Sequence, residues 1–233
     1  MIMRVTILNT GPTLALATAA FCSLAVAQAR AGDECRAAVE AAFNKQRVHV
    51  SGYRFAAQMP GEQGATQMTI DYLPPDRMYQ KVEAPGNQKP VETIAIQRWA
   101  WGTMGGGWEE LQPQFAQSII AHVRSTLIDP PKLTSAFTCL GKVKLEGKER
   151  VAYRADQPSA APGSAGEGAQ LARTIYVDET SGLPLANIVT REDGKGDVVF
   201  DGHYSYPTDI SIEPPIGGHA IVPHDGAKNA AEK

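Results

Sequence analysis

Residues 68–111 read MTIDYLPPDRMYQKVEAPGNQKPVETIAIQRWAWGTMGGGWEEL, and this stretch decides the fold of the chain. Apolar residues alternate with polar ones in its opening segment, which is the pattern of a β-strand with one buried face. Pro74-Pro75-Asp76, Pro85-Gly86-Asn87 and Gly105-Gly106-Gly107 interrupt the extended segments. Such residues favour turns, and proline cannot donate a hydrogen bond to a neighbouring strand. Because strands joined by short turns pair with their neighbours, the stretch predicts an antiparallel meander.

Helical patterns flank this meander on both sides. Upstream, Asp33 is a candidate N-cap, and apolar residues recur at helical spacing from Cys35 to Phe43. Strand character is predicted to start at Arg47. Downstream, apolar positions four residues apart predict one face of a helix over residues 114–128, ended by a proline pair. These positions are Phe115, Ile119, Val123 and Leu127. His122 beside them is interpreted as a polar-face or partly buried histidine.

A second meander is predicted from Phe137 onward. Its hairpin turns at Glu146-Gly147, and later turns lie at residues 178–184 and 193–196. Residues 158–168 are rich in Ala, Gly, Ser and Pro and are predicted to form a flexible loop. Together the segments predict an α+β domain with one strongly curved antiparallel sheet of roughly ten strands and one apolar face to bury.

The N-terminus has the features of a secretory signal. Arg4 gives a basic start, an apolar run covers residues 14–26, and small residues follow in A-x-A arrangements within residues 27–31. The run is shorter than the roughly 20 residues that a transmembrane helix needs, so a retained anchor is the less favoured alternative. We expect residues 1–31 to be a cleaved signal peptide, residues 32–216 to form one domain without a membrane span, and residues 217–233 to be a disordered tail.

Two cysteines, Cys35 and Cys139, remain after the predicted signal is removed. An even pair in an oxidising compartment is most simply a disulfide bond. Two buried free thiols are the alternative, and a catalytic cysteine is less favoured because no histidine partner is suggested.

Composition and motifs argue against several classes of function. The formal charge is −3 before loss of two signal-peptide arginines, whereas nucleic-acid binding calls for clustered Lys and Arg. No nucleophile elbow, phosphate-binding loop or dinucleotide fingerprint occurs. The adjacent acids Glu109-Glu110 and Asp178-Glu179 point in different directions. His219 and His224 lack the further ligands of a metal site. We expect no catalysis, cofactor, metal or nucleic-acid partner.

Several segments resemble the periplasmic lipoprotein-carrier superfamily. Pro75-Asp76-Arg77-Met78-Tyr79 is similar to its pattern of proline, acid, base and apolar residue, and Gly107-Trp108 is similar to its Gly-Trp after a hairpin. Tyr176–Pro184 resembles its strand followed by an acid-x-x-Gly-Leu-Pro turn. Further segments that resemble the superfamily are Glu92–Ile96, Leu145–Glu149 and Tyr204–Pro215.

The resemblance implies an unclosed antiparallel half-barrel whose concave face is covered by helices. It implies a periplasmic, non-catalytic protein that shelters a lipid or a lipoprotein acyl chain in an apolar cavity. Some relatives serve as envelope-stress sensors, so a sensor or regulatory domain with an envelope protein partner is a second hypothesis. An unrecognised envelope hydrolase is a third.

The candidate ligand contacts are apolar residues of the first meander and the covering helix, because a curved sheet under helices leaves some apolar side chains facing a gap. Alternation along each strand allows only about half of them to point inward. Methionines suit a pocket that adapts to flexible chains, while each tryptophan could equally be a core aromatic. The nine candidates are Met68, Ile70, Tyr72, Met78, Ile94, Ile96, Trp99, Trp101 and Phe115.

Overall fold

The structure is a computed structural model that describes residues 19–103, 106–155, 171–191 and 196–216, with side chains from residue 32 onward. Two helices and eleven strands occur within these residues. They are α1 Ala19–His49, β1 Tyr53–Met59, β2 Thr66–Leu73, β3 Arg77–Glu83, β4 Val91–Ile96, β5 Trp99–Thr103, β6 Trp108–Glu110, α2 Pro113–Leu127, β7 Phe137–Leu145, β8 Lys148–Ala155, β9 Leu171–Val177, β10 Pro184–Arg191 and β11 Val198–Ser205.

All eleven strands of the described residues belong to one antiparallel sheet, in the order β6-β5-β4-β3-β2-β1-β11-β10-β9-β8-β7. Two meanders, β1–β6 and β7–β11, are joined where the first strand pairs with the last, with Phe55 opposite Tyr204. The edge strands β6 and β7 do not meet, so the strongly curved sheet is an unclosed half-barrel of the α+β class. This confirms the predicted fold class.

Both helices cover the same face of the sheet, which we call the inner face. Residues opposite each other in antiparallel strands share a face. Tyr72 lies opposite Tyr53 on β1 and opposite Met78 on β3, and all three pack in one cluster with Val123 and Leu127 of α2. In a second cluster, Cys35, Val39 and Ala42 of α1 pack with Ile175 and Val177 of β9.

A disulfide bond between Cys35 and Cys139 fastens α1 to the edge strand β7. Their Cα atoms are 5.4 Å apart, and 104 positions separate them in the chain. Cross-linking residues so distant in sequence removes conformational freedom from the unfolded chain, so the bond stabilises the fold. The predicted pairing of these two cysteines is confirmed.

The opposite, outer face of the first meander packs against the C-terminal segment. Ile94 and Ile96 lie opposite Trp101 and Trp99, respectively, and these side chains form a cluster with Ile212. The guanidinium of Arg77 donates a 2.7 Å hydrogen bond to the carbonyl oxygen of Ile212, which holds the segment in place. The most aromatic part of the first meander is therefore turned away from the helices.

Several local predictions need correction. Arg47 to His49 end α1 rather than begin a strand, since helix-favouring polar residues continue the helix and the apolar alternation there is short. Val48 is accordingly 71% exposed. The second helix occupies the predicted place, but Phe115 is 59% exposed because α2 buries only its later residues Val123 and Leu127. The eleven described strands of the sheet agree with the roughly ten that were expected.

Other predictions fall on residues that the structure leaves undescribed. The loop at 158–168, the turn at 193–195, the tail at 217–233 and most of the signal peptide lie outside the described residues, so they stay predictions. None of the described helices is both long enough and apolar enough to cross a membrane.

Candidate functional site

A cavity of about 330 Å³ lies between the inner face of the sheet and parts of both helices. The end of α1 contributes Phe43, Gln46 and Arg47, and α2 contributes residues between His122 and Thr126. Its volume is at the lower end of the roughly 300–1,000 Å³ of small-molecule pockets. The space suits one slender ligand or one chain of a larger ligand. We call it the aromatic cavity.

Five aromatic side chains form the sheet wall of this cavity; they are Tyr53, Phe55, Tyr72, Phe200 and Tyr204. Tyr53 and Tyr72 stack with ring centroids 4.9 Å apart, and the ring centroids of Phe55 and Tyr204 are 4.7 Å apart. Such rings present broad, rigid apolar surfaces to a ligand. This part of the wall therefore favours an apolar chain over a charged group.

Gly202 makes room for one of these rings. A Cβ atom at this position would lie 2.4 Å from Cζ of Phe55 and 2.9 Å from Cε1 of Phe200. Carbon atoms pack at about 3.5–4.0 Å, so no side chain fits there without displacing the phenyl ring. The glycine thus allows Phe55 to lie across β11, the neighbouring strand.

Few polar groups line the cavity, and hydrogen bonds hold most of them in place. Tyr72 Oη lies 2.8 Å from Nε2 of His122, which joins β2 to α2. Burial raises the pKa of Tyr72 to about 12 and lowers the pKa of His122 from its usual value. Both shifts favour the neutral forms, so the tyrosine hydroxyl can donate to an uncharged imidazole.

Gln46 anchors the end of α1 to the sheet. Its Nε2 donates to Oη of Tyr206 at 3.2 Å, and that hydroxyl donates to the carbonyl oxygen of Pro184 at 2.6 Å. Gln46 itself is only 2% exposed. This chain of hydrogen bonds holds one wall of the aromatic cavity in position.

Two cavity residues retain unused capacity for polar contacts. Asn187 is 8% exposed, and its Oδ1 accepts no hydrogen bond from any residue that the structure describes. Arg47 donates from Nη2 to Oδ1 of Asn44 at 2.5 Å, and burial lowers its pKa. A ligand could supply a donor to the first residue and negative charge to the second.

The structure places the nine predicted ligand residues in four different environments. Met68, Ile70 and Tyr72 line the aromatic cavity. Met78 lies on the same face but is packed in the core beside Tyr72. Phe115 is exposed on α2. The remaining four lie in the outer-face cluster with Ile212, away from the cavity; they are Ile94, Ile96, Trp99 and Trp101.

Sequence reasoning missed the contributions of α1 and of the last strands. Phe55 and Tyr204 were recognised only as strand residues, because the pairing of β1 with β11 joins positions about 150 residues apart in the chain. Nothing in the sequence indicated that Asn187 lines a cavity, because it is simply an isolated polar residue in an apolar strand. Among the described residues, no group of three His, Cys, Asp or Glu side chains could hold a metal ion.

Comparisons with known proteins support the fold. No protein-family model matches the chain, and no curated protein matches it. LprF from Mycobacterium bovis is 12% identical, and the match covers 78% of this chain and 97% of LprF with a TM-score of 0.50. The lipoprotein LppX from Mycobacterium tuberculosis is 11% identical, with 78% of this chain and 99% of LppX covered and a TM-score of 0.52.

A LolA superfamily protein from Nitrosomonas europaea is matched less closely. It is 10% identical, the match covers 76% of this chain and 94% of that protein, and the TM-score is 0.32. The TM-scores with LprF and LppX show a shared fold, and the low sequence identities show nothing about a ligand. The chain has the fold of LprF and LppX.

Proposed function

We propose that the protein is a non-catalytic carrier of the periplasm that binds one acyl chain of a lipid or lipoprotein in the aromatic cavity. The observation that carries the proposal is a space of about 330 Å³ on the inner face, walled by stacked aromatic rings and covered by two helices. Pockets of this kind, apolar with a few fixed polar groups, bind ligands by removing their apolar surface from water.

The size of the cavity favours a single chain. Each buried methylene contributes about 0.8 kcal/mol, which is roughly a fourfold change in affinity. Affinity should therefore rise with chain length and level off once the cavity is filled. A flat response to chain length would contradict binding in a cavity of defined volume.

Met68 and Ile70 suit this role on the sheet side. Met68 accepts a 3.2 Å contact at its sulfur from Nε2 of Gln80, while its flexible side chain lines the cavity. An unbranched, polarisable side chain adapts to chains of different shape. The cavity wall thus combines rigid rings with one adaptable residue.

The experiment measures displacement of a fluorescent fatty acid by straight-chain acids of increasing length. The test variant is Thr126→Trp, which fills the cavity from α2. Its matched control is Ser118→Trp on the same helix, where the side chain is exposed. We expect Thr126→Trp to weaken binding at least about tenfold, which corresponds to the loss of two methylene contacts. Ser118→Trp should leave binding unchanged.

Two results would overturn the proposal. One is that no straight-chain probe binds the unmodified protein, in which case a sensor or regulatory role would become the leading hypothesis. The other is equal binding by both variants when thermal unfolding shows that both are folded.

A further inference from the structure

Arg47 lines a second, larger space as well as the aromatic cavity. This space is an open groove of about 820 Å³ between α1 and the segment that follows α2. Residues spaced three or four apart on one side of α1 form one wall of the groove, and Pro130–Thr134 form the other. Phe43 and Arg47 belong to both spaces. The groove and the aromatic cavity therefore meet at the last turns of α1.

The two spaces differ in chemical character. The cavity wall is made largely of aromatic rings, whereas the groove carries the cations Arg36, Arg47 and Lys132 and one acid, Glu40. An amphiphile could place its apolar part in the first space and a charged head in the second, because the two spaces share Phe43 and Arg47.

Among the described residues, Arg47 lacks the carboxylate partner that several other arginines have. Arg36 pairs with Asp33 at 2.7 Å, and Arg150 pairs with Asp178 at 2.7 Å. Arg47 forms no ion pair with any residue in the described part of the chain. It is half-buried, so its charge is partly removed from water without compensation by a carboxylate.

The hydrogen bond to Asn44 fixes how the guanidinium is presented. Asn44 Oδ1 accepts from Nη2 at 2.5 Å and also faces the groove. A guanidinium has five N–H donors, so the remaining ones are available for an anion. Guanidinium pairs well with carboxylate and phosphate oxygens because two donors can contact two oxygens at once.

We propose that the ligand is a single-chain amphiphile with an anionic head, whose chain occupies the aromatic cavity and whose carboxylate or phosphate binds Arg47 at the mouth of the groove. This inference rests on the proposed function and specifies the head group of its ligand. Lys132 adds positive charge to the opposite wall of the groove.

The first test compares three probes on the full, unmodified chain. They share one straight alkyl chain and end in a carboxylate, a methyl ester or a primary ammonium. A charge-assisted pair to a partly buried guanidinium predicts that the carboxylate binds at least about tenfold more tightly than the ester. The ammonium should bind more weakly than the ester. Equal affinity of carboxylate and ester would overturn the anionic head while leaving the acyl-binding proposal intact.

The second test removes the charge at Arg47. Arg47→Gln should reduce the affinity for the carboxylate at least about tenfold and leave the ester unchanged, since only the charged head loses its partner. Lys45→Gln is the matched control, because Lys45 is exposed on the same helix and lines neither space. Arg47→Lys should restore part of the preference for the carboxylate. An equal loss for ester and carboxylate would assign Arg47 a structural role and overturn the inference.

A third test separates a lipid head from a free anion. Inorganic phosphate should not displace the alkyl carboxylate at concentrations comparable to that probe, because it gains nothing from the aromatic cavity. Displacement at such concentrations would indicate a site for free anions and contradict the lipid assignment. Failure of every alkyl probe to bind would overturn both this inference and the proposed function.

Discussion

Tyr72 Oη lies 2.8 Å from Nε2 of His122, and this contact joins the centre of the sheet to α2 at the wall of the aromatic cavity. Packing around the pair makes the stability of the protein depend on pH, because burial lowers the pKa of His122 from its usual value. In the unfolded chain the imidazole binds a proton more readily than in the native protein. Native stability due to this group is therefore present above the unfolded pKa of about 6.5 and is lost as pH falls below it.

His122→Gln should remove this part of the pH dependence. Urea unfolding of the unmodified protein at pH values above and below 6.5 should show a fall in unfolding free energy that is larger than in the variant. Tyr72→Phe tests the hydrogen bond separately and should cost about 1 kcal/mol. A pH profile identical in the protein and in His122→Gln would contradict the assigned burial of the imidazole.

Gly202→Ala should both destabilise the fold and weaken acyl binding. The added Cβ would lie 2.4 Å from Cζ of Phe55, so the ring must move. Overpacking of this kind costs about 1–3 kcal/mol, and a displaced ring would enter the cavity. The measurements are urea unfolding and probe displacement. Gly107→Ala is the control, because no heavy atom lies within 4 Å of a Cβ there. Equal behaviour of the two variants would be inconsistent with this packing.

Loss of the Cys35–Cys139 disulfide should lower the unfolding free energy substantially. The bond closes a loop spanning 104 positions. For a loop of this length the chain-entropy model gives roughly 4–5 kcal/mol as an upper estimate. Replacing both cysteines with serine and measuring urea unfolding tests this value. Free-thiol labelling of the denatured, unreduced protein provides the control, and labelling at both cysteines would contradict the bond.

Trp101→Phe should leave ligand affinity unchanged. Trp101 is 1% exposed and packs on the outer face with Ile94 and Ile212, on the side of the sheet opposite the aromatic cavity. Its Nε1 has no hydrogen-bond partner among the described residues, so phenylalanine loses ring volume but removes an unpaired donor. Probe displacement checks the affinity and thermal unfolding confirms the fold. Weaker binding by a stably folded variant would place the ligand on the outer face.

The sequence predicted which residues of a strand share a face, but it could not tell whether that face is the inner or the outer face of the sheet. Period-2 alternation correctly grouped Met68, Ile70 and Tyr72, and the cavity lies along them. Ile94 and Ile96 were candidate ligand contacts as well, but Met78 pairs with Ala95, so the isoleucines point outward. A shift of one residue in register reverses every side chain of a strand, and turn length alone does not fix that register.

Local sequence patterns could not predict which strands pair when they lie far apart in the chain. The cavity depends on β1 lying beside β11, which places Tyr204 opposite Phe55. Each strand was recognisable alone, but their pairing is set by how the whole sheet assembles. The extension of α1 to His49 is supported by a tertiary contact as well as by local helix propensity, because Gln46 donates a hydrogen bond to Tyr206, 160 positions away.

Acyl binding in the aromatic cavity is best tested by photo-cross-linking of an alkyl carboxylate that carries a diazirine near the end of its chain, followed by peptide mapping. Binding in the aromatic cavity predicts labels in Met68–Tyr72, Phe200–Tyr204 or His122–Thr126, and an excess of unlabelled acid should abolish them. Labels in Trp99–Trp101 or Ile210–Ile212 would place the alkyl chain on the outer face and contradict binding in the aromatic cavity. The absence of any competable label would contradict acyl binding itself.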